Sequence, residues 1–423
     1  MHTPANQVKP HRPRLSGRIP IPTGKLECIY YLAMGIPLIG PAFGLEIRYS
    51  GVVTIAVFVA CVLRVQPLTK AVFAPIALLA ACIISFLPIQ IVVHRESIFG
   101  EGILHYISWL VNLMIVRSLC LRRGFLFRFP LVMLAICVIA ILFVGYTVGE
   151  DARAVADTEV EGELRTPAAF AQWFGFLAIY FVVVGLNGHR RLFRLCAWFV
   201  AVGCVLLLAL SVERGPLLGV ALASVIVFRQ QLKRAFIPVL VLVSLIGIIS
   251  LGGVFDAVFS NYQERAFEET GREVLWPAAI ERIFSAPFVT LFGVGESNIL
   301  YQLGYNKFSP PHNAFLHIFL ASGVVPFAFF VAFWIQAAWR SAHAKGQDDA
   351  PFRLPYLVYS FVLYMVVDIV TSPWALLALC VAAGPAAVPG KQGLRFVRVG
   401  HKIWLGRFPE PKSPKPTTAA PSQ

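Results

Sequence analysis

The chain has 423 residues, of which 58% are hydrophobic and only 14% charged, and its mean hydropathy is +0.73. Soluble proteins carry charged side chains at near a quarter of their positions, so this composition excludes a soluble globular enzyme and predicts an integral membrane protein. A net charge of +14 would favour nucleic-acid binding only if the charge lay on a soluble basic face. The composition does not predict such a face, so we exclude nucleic acid as a partner. None of the eight cysteines stands in a CxxC pair, and we interpret them as small core hydrophobes.

Apolar runs long enough to cross a hydrocarbon core of about 30 Å recur along the chain. We predict an all-α, polytopic membrane protein with about twelve spans, at residues 28–45, 49–63, 71–93, 99–116, 129–148, 168–187, 192–210, 215–228, 235–254, 313–339, 354–371 and 373–389. The second, eighth and twelfth of these runs are short. The first follows a basic, Pro-containing arm and lacks a small-residue cleavage site, so we interpret it as a retained span.

The placement of Lys and Arg predicts the orientation, because short cytoplasmic loops are enriched in both. With the N-terminus inside, 27 of the 36 basic residues fall on inside segments and 17 of the 22 acidic residues fall on outside segments. We therefore predict that both termini are cytoplasmic. With an even number of spans, every loop agrees with the enrichment of cytoplasmic loops in Lys and Arg.

These assignments predict the domain organisation. A basic cytoplasmic arm (1–27) precedes spans one to nine (28–254), and a large periplasmic loop (255–311) separates them from spans ten to twelve (312–389). The tail (390–423) is Pro-rich and basic, which predicts disorder at the cytoplasmic face. A loop of this length, with an apparent amphipathic helix near residues 272–286, is uncommon unless it has a function. No internal repeat supports an inverted-repeat transporter.

Ionisable groups at the edge of a membrane are candidates for function because their burial is costly. Arg214 lies in the short outer connection Ser-Val-Glu-Arg-Gly at 211–215, where the distribution of positive charge disfavours an arginine. It is a partner of the neighbouring Glu213, a snorkelling anchor, or an outward-facing site for an anion.

The large outer loop holds a second group of candidates. Arg272 and Trp276 are four residues apart, so on a helix they share one face. Further on, Gly293-Val294-Gly295 predicts a tight turn that brings backbone amides near a ligand. The segment is not a P-loop, because it has neither a strand-turn-helix context nor a GK[ST] sequence.

The third group begins the tenth predicted span, in Pro-Pro-His-Asn-Ala-Phe-Leu-His at 310–317. His312 lies at the predicted outer end of this span, where an imidazole can be solvated and can titrate near neutral pH. The alternative is that His312 is only a polar residue at the membrane interface. Asn313 is the predicted cap of the helix that follows.

Taken together, in this order and on one side of the membrane, these segments resemble the O-antigen ligase and Wzy-type polysaccharide polymerase superfamily. The resemblance covers about residues 200–340 and rests on an arginine before a span, Gly-Arg-x-x-x-Trp, Gly-x-Gly, and His-Asn-x-x-Leu followed by a glycine. In that family two arginines and a histidine are the functional residues, which here are Arg214, Arg272 and His312. Glu213 and Pro216 depart from the family pattern around the first arginine.

The resemblance implies a multi-pass protein of the bacterial inner membrane, embedded in membrane lipid. The implied substrate is an oligosaccharide on undecaprenyl pyrophosphate, transferred at the periplasmic face without a metal or other cofactor. Arg214 and Arg272 suit the diphosphate, and Trp276 and Asn313 are further substrate-binding candidates. His312 is the expected acid–base residue, with Glu213 and Glu273 as alternatives.

Within this family we predict a polymerase that joins lipid-linked repeat units into an exopolysaccharide or surface polysaccharide. The alternative is a ligase that moves the glycan to a lipid A core or another acceptor. A flippase and a chain-length co-polymerase are the protein partners that such a pathway implies. A transporter is less favoured, because acidic residues within the predicted spans are limited to Asp368 and to Glu101 at the start of the fourth span.

Overall fold

A computed structural model of the chain describes residues 25–39, 47–62, 70–97, 100–120, 125–144, 167–188, 191–211, 213–229, 272–299, 301–304, 307–309, 311–343, 350–366, 394–399 and 402–407. Within these residues the protein is almost entirely helical, with two short hairpins. Three of the helices are long and apolar enough to cross a membrane, namely Pro75–Val93, Arg191–Leu210 and Val324–His343. The chain is therefore a helical membrane protein, and the total of twelve spans stays a prediction.

Eight α-helices form the first half of the described structure: α1 Lys25–Ile39, α2 Ile47–Val62, α3 Lys70–Pro88, α4 Glu101–Cys120, α5 Phe125–Val144, α6 Pro167–Asn187, α7 Arg191–Leu210 and α8 Arg214–Arg229. Each overlaps one of the first eight predicted spans. The ninth predicted span, 235–254, lies outside the described residues.

The second half contains α9 Arg272–Phe284, α10 Pro287–Phe292, a 3₁₀ turn Glu296–Asn298, strands β1 Tyr301–Gly304 and β2 Lys307–Ser309, α11 Ala314–Ser322, α12 Val324–His343 and α13 Ala350–Val366. The amphipathic helix predicted near 272–286 is α9, and Leu275, Ala279 and Ile283 form its buried face. The twelfth predicted span lies outside the described residues.

The tenth predicted span, 313–339, is not one helix. It is divided at Gly323 into α11 and α12, because Gly323 adopts φ 79° and ψ −168°, a conformation that ends a helix. The apolar run continues through this point, so hydropathy alone does not reveal the break. Helix α12 is the part that is long and apolar enough to cross a membrane, and α11 is a separate nine-residue segment at its start.

Strands also occur where the sequence predicts disorder. Strands β3 Leu394–Val399 and β4 Lys402–Arg407 pair antiparallel within the tail segment 390–423. Their sequences, LRFVRV and KIWLGR, are rich in β-branched and aromatic residues, which favour a strand. The Pro-rich remainder of the tail lies outside the described residues.

Close packing between helices depends on glycines that face one aromatic side chain. The buried Tyr359 of α13 donates a hydrogen bond to the carbonyl oxygen of Gln172 at 2.6 Å. A Cβ at Gly175 of α6 would lie 2.3 Å from the Tyr359 hydroxyl, and one at Gly219 of α8 would lie 2.8 Å from its ring. Small residues let helices approach closely in a membrane, so Tyr359 joins α6, α8 and α13.

Segments predicted on the same side of the membrane meet in the structure. At the predicted inner side, the buried Arg128 donates to both carboxylate oxygens of Glu27 at 2.7 Å, which ties α5 to α1. At the predicted outer side, Glu96 accepts a hydrogen bond from the Ser297 amide at 2.8 Å. Each of these two contacts joins segments that the predicted topology places on the same side. Which end is cytoplasmic stays a prediction.

Candidate functional site

His312 lies between the β1–β2 hairpin and α11 and is half-buried. Its φ of 48° is in the left-handed region, which is uncommon for a residue with a side chain and is frequent at functional sites. The next residue, Asn313, caps α11: its Oδ1 atom accepts hydrogen bonds from the amides of Phe315 at 3.0 Å and Leu316 at 3.2 Å. The predicted cap is confirmed. Direct contact between Asn313 and substrate stays a prediction.

Trp276 connects α9 to the histidine segment. Its indole Nε1 donates a hydrogen bond to the carbonyl oxygen of Pro311 at 2.8 Å, directly before His312. Arg272 is the first residue of α9, four residues before Trp276, so its Cα lies about 6 Å along the helix axis from that of Trp276. The structure therefore brings the backbone of Arg272, the side chain of Trp276 and the segment of His312 into one neighbourhood.

Arg214 lies on a different element. It is the first residue of α8, and its Nη2 atom is buried without a hydrogen-bond partner in the described part of the chain. A buried donor on a charged group is costly unless it is bonded, so an acceptor from outside the described structure is expected there.

Helix α13 links α8 to α11. The Tyr359 ring contacts Gly219, which lies five residues after Arg214 on α8. Phe361 packs on Phe315 of α11, with ring centroids 5.7 Å apart. Arg214 and His312 thus stand on elements that share one packing partner.

The Gly293-Val294-Gly295 turn has a different use from the predicted one. The amide of Val294 donates to the Leu320 carbonyl oxygen at 2.8 Å, and that of Gly295 donates to the Ala321 carbonyl oxygen at 3.1 Å. These amides therefore dock the turn on the end of α11 and are engaged within the protein. The prediction that they face a ligand is wrong, because α11 supplies acceptors that the local sequence does not reveal.

A buried polar cluster beside this turn was missed in the sequence. His317 Nε2 of α11 lies 2.8 Å and 3.0 Å from the two carboxylate oxygens of Glu296. Gln90 bridges the same elements, accepting from the Glu296 amide and donating to the Ala321 carbonyl oxygen, each at 2.8 Å. A signal was present: Gln90 is a polar residue within the apolar run 71–93.

The local backbone explains why Gln90 faces this turn. Pro88 ends α3, and residues Ile89–Val93 continue as a π-helix, in which the His94 amide bonds to the Ile89 carbonyl oxygen at 3.1 Å. His94 Nε2 also lies 2.9 Å from the carbonyl oxygen of Phe292. The segment that follows α3 is therefore fixed to the far half of the chain.

The described residues contain no group of three or more His, Cys, Asp or Glu side chains that could hold a metal ion. The predicted transfer without a metal is not tested by that finding and stays a prediction.

Residues 198–331 match a family model described as O-Antigen ligase. The matched segment includes all five residues predicted for the site, and it confirms the resemblance drawn from the motifs. A comparison with curated proteins finds no match. Together with the apolar helices, the family match supports a membrane protein that takes part in polysaccharide assembly.

Proposed function

We propose that this protein is a glycosyltransferase of the bacterial inner membrane, because residues 198–331 match a family model described as O-Antigen ligase. It polymerises undecaprenyl-pyrophosphate-linked repeat units into an exopolysaccharide or surface polysaccharide at the periplasmic face. The hydrogen bond between Trp276 and the Pro311 carbonyl oxygen carries the proposal. It brings the helix that begins with Arg272 to the residue before His312, so two of the three expected functional residues lie on adjoining segments.

The donor is bound by its diphosphate. Guanidinium makes bidentate hydrogen bonds to phosphate oxygens and stays protonated, which suits Arg214 and Arg272 for this group. The buried Nη2 atom of Arg214, without a partner among the described residues, supports an anion at that position. Because negative charge grows on the leaving diphosphate during transfer, these cations stabilise the transition state more than the bound substrate.

His312 acts on the hydroxyl group of the acceptor. The acceptor hydroxyl oxygen attacks the anomeric carbon, the bond from that carbon to the diphosphate oxygen breaks, and undecaprenyl pyrophosphate leaves with the electron pair. His312 takes the hydroxyl proton, a contribution of typically about 10²- to 10⁴-fold in rate. Its half-buried position at the mouth of α11 supports access to both water and substrate. The pathway supplies a flippase before this step and a chain-length co-polymerase beside it.

Ligation is the second candidate, and the description of the matched family, O-Antigen ligase, favours it. The donor and the roles of the three residues are the same. Only the acceptor differs: the end of another lipid-linked chain in polymerisation, and a lipid A core or other acceptor in ligation.

The test is transfer by the purified protein in phospholipid vesicles that contain a fluorescent lipid-linked repeat unit. We expect lipid-linked products longer than one unit, or a labelled lipid A core if ligation is the reaction. Arg272→Lys keeps the charge and loses the fork of donors, and we expect about 10²-fold slower transfer. Arg282→Lys, in the last turn of the same helix, is the matched control and keeps the wild-type rate. Equal rates for both lysine variants would remove Arg272 from the site.

A further inference from the structure

Glu296 and His317 form a largely buried pair outside the predicted set of functional residues. The two side chains are 15% and 8% exposed. Tyr106 of α4 adds its hydroxyl at 3.5 Å from Glu296 Oε2. The pair joins the loop directly after the glycine turn to the first half of α11, and the loop itself contacts α4 and Gln90 in the π-helix that follows α3.

Stability alone is a weak reason for this arrangement. Taking a carboxylate and an imidazole out of water costs free energy, and apolar residues of similar volume often replace such pairs without loss. A hydrogen-bonded pair, in contrast, restricts the orientation of the helix. His317 Nε2 lies within hydrogen-bond distance of both Glu296 carboxylate oxygens, which fixes the rotation of α11 about its axis as well as its distance from the loop. Apolar packing fixes rotation less strictly.

The geometry of α11 transmits this constraint to His312. Helix α11 has only nine residues, so it is held by its contacts more than by its own hydrogen bonds. The His317 amide donates to the Asn313 carbonyl oxygen at 2.8 Å, which places His317 one turn after the cap. His312 precedes that cap with its φ already fixed at 48°. A rotation or slide of α11 therefore moves His312 directly.

Gln90 holds the same two elements from the other side. Its amide bonds to the backbone of Glu296 and of Ala321, and the side chain is fully buried. Glu96 adds a second contact from the first half of the chain, accepting from the Ser297 amide at 2.8 Å and hydroxyl at 2.9 Å. The backbone of the loop that carries Glu296 is thus held in place, so Glu296 can fix the position of His317.

We propose that Glu296 and His317 are positioning residues of the transfer reaction, which hold α11 so that His312 meets the acceptor hydroxyl. The inference rests on the proposed function. It predicts that loss of the pair lowers turnover and leaves donor binding nearly unchanged, because the arginines that bind the diphosphate stand on α8 and α9. A displacement near 1 Å is enough for about 10²-fold in rate.

The experiment measures kcat and KM for the lipid-linked donor in vesicles. His317→Leu removes the hydrogen bond to Glu296, and His317→Gln keeps a donor within reach of it. We expect kcat to fall at least about tenfold in the leucine variant with KM within about threefold, and the glutamine variant to recover most of the loss. His343→Leu, an exposed histidine at the end of α12, is the matched control and keeps the wild-type kcat.

A second variant is needed if the Glu296 carboxylate, left without its partner in His317→Leu, prevents folding. The double variant Glu296→Met with His317→Leu replaces the pair by apolar residues of similar size, which permits the fold. We expect it to accumulate in the membrane and to remain slow. A wild-type kcat in this folded double variant, or in folded His317→Leu, would overturn the positioning role.

The failure of the proposed function has a different signature. In that case the wild-type protein forms no product, or His312→Ala transfers as fast as the wild type. An active wild type, an inactive His312→Ala and an unaffected His317→Leu would refute only the positioning role.

Discussion

Replacing Gly323 by alanine tests the break between α11 and α12. Gly323 has φ 79° and ψ −168°, a region used essentially by glycine alone, where other residues cost about 1–3 kcal/mol. An added Cβ would lie 2.2 Å from the carbonyl oxygen of Leu291 and 2.4 Å from its carbonyl carbon, both of them backbone atoms. Such overpacking costs about 1–3 kcal/mol more. Gly323→Ala should therefore destabilise the fold by about 2–6 kcal/mol.

The matched control is Gly203→Ala, in the interior of α7. A Cβ there meets no atom within 4 Å, so the change should stabilise the helix by up to about 1 kcal/mol. The measurement is the midpoint temperature at which the detergent-solubilised protein stops eluting as a single species after heating. We expect a lower midpoint for Gly323→Ala and an equal or higher one for Gly203→Ala. Equal midpoints for the two variants would refute the close approach of Gly323 to Leu291 of α10.

Three further predictions concern the site, the inner end and the topology. Trp276→Phe loses the indole donor to Pro311, and we expect about tenfold slower transfer with normal accumulation; an unchanged rate would show that the hydrogen bond does not position the site. Glu27→Gln leaves a buried arginine uncompensated and should destabilise the protein by about 3–5 kcal/mol, whereas Glu27→Leu with Arg128→Met should recover most of that loss in thermal unfolding. A reporter fused after residue 300 should be periplasmic and one fused after residue 345 cytoplasmic; the reverse result would contradict the topology and the mechanism.

Local pattern was enough for much of the fold. Amphipathic spacing predicted α9, and its observed end differs from the prediction by two residues. The type of residue before an apolar run predicted the cap at Asn313, and the structure confirms it. These features depend on neighbours within one helical turn, which the sequence displays directly.

Features that depend on distant partners could not be predicted. Gln90 and Glu296 are 206 residues apart, and although a glutamine within an apolar run is unusual, nothing near it indicates its partner. The break at Gly323 depends on the backbone of Leu291, so a continuous apolar run concealed it. The amides of the glycine turn are engaged because α11 offers free carbonyl oxygens at its end, which is again a tertiary effect.

The most direct test of the central claim separates the lipid-linked oligosaccharides of the host by size, with His312→Ala in place of the wild-type protein. We expect single repeat units to accumulate on undecaprenyl pyrophosphate and polymer to disappear. Long polymer accumulating on the lipid carrier would contradict polymerisation and identify a ligase. Unchanged amounts of both pools would contradict a glycosyltransferase of this family.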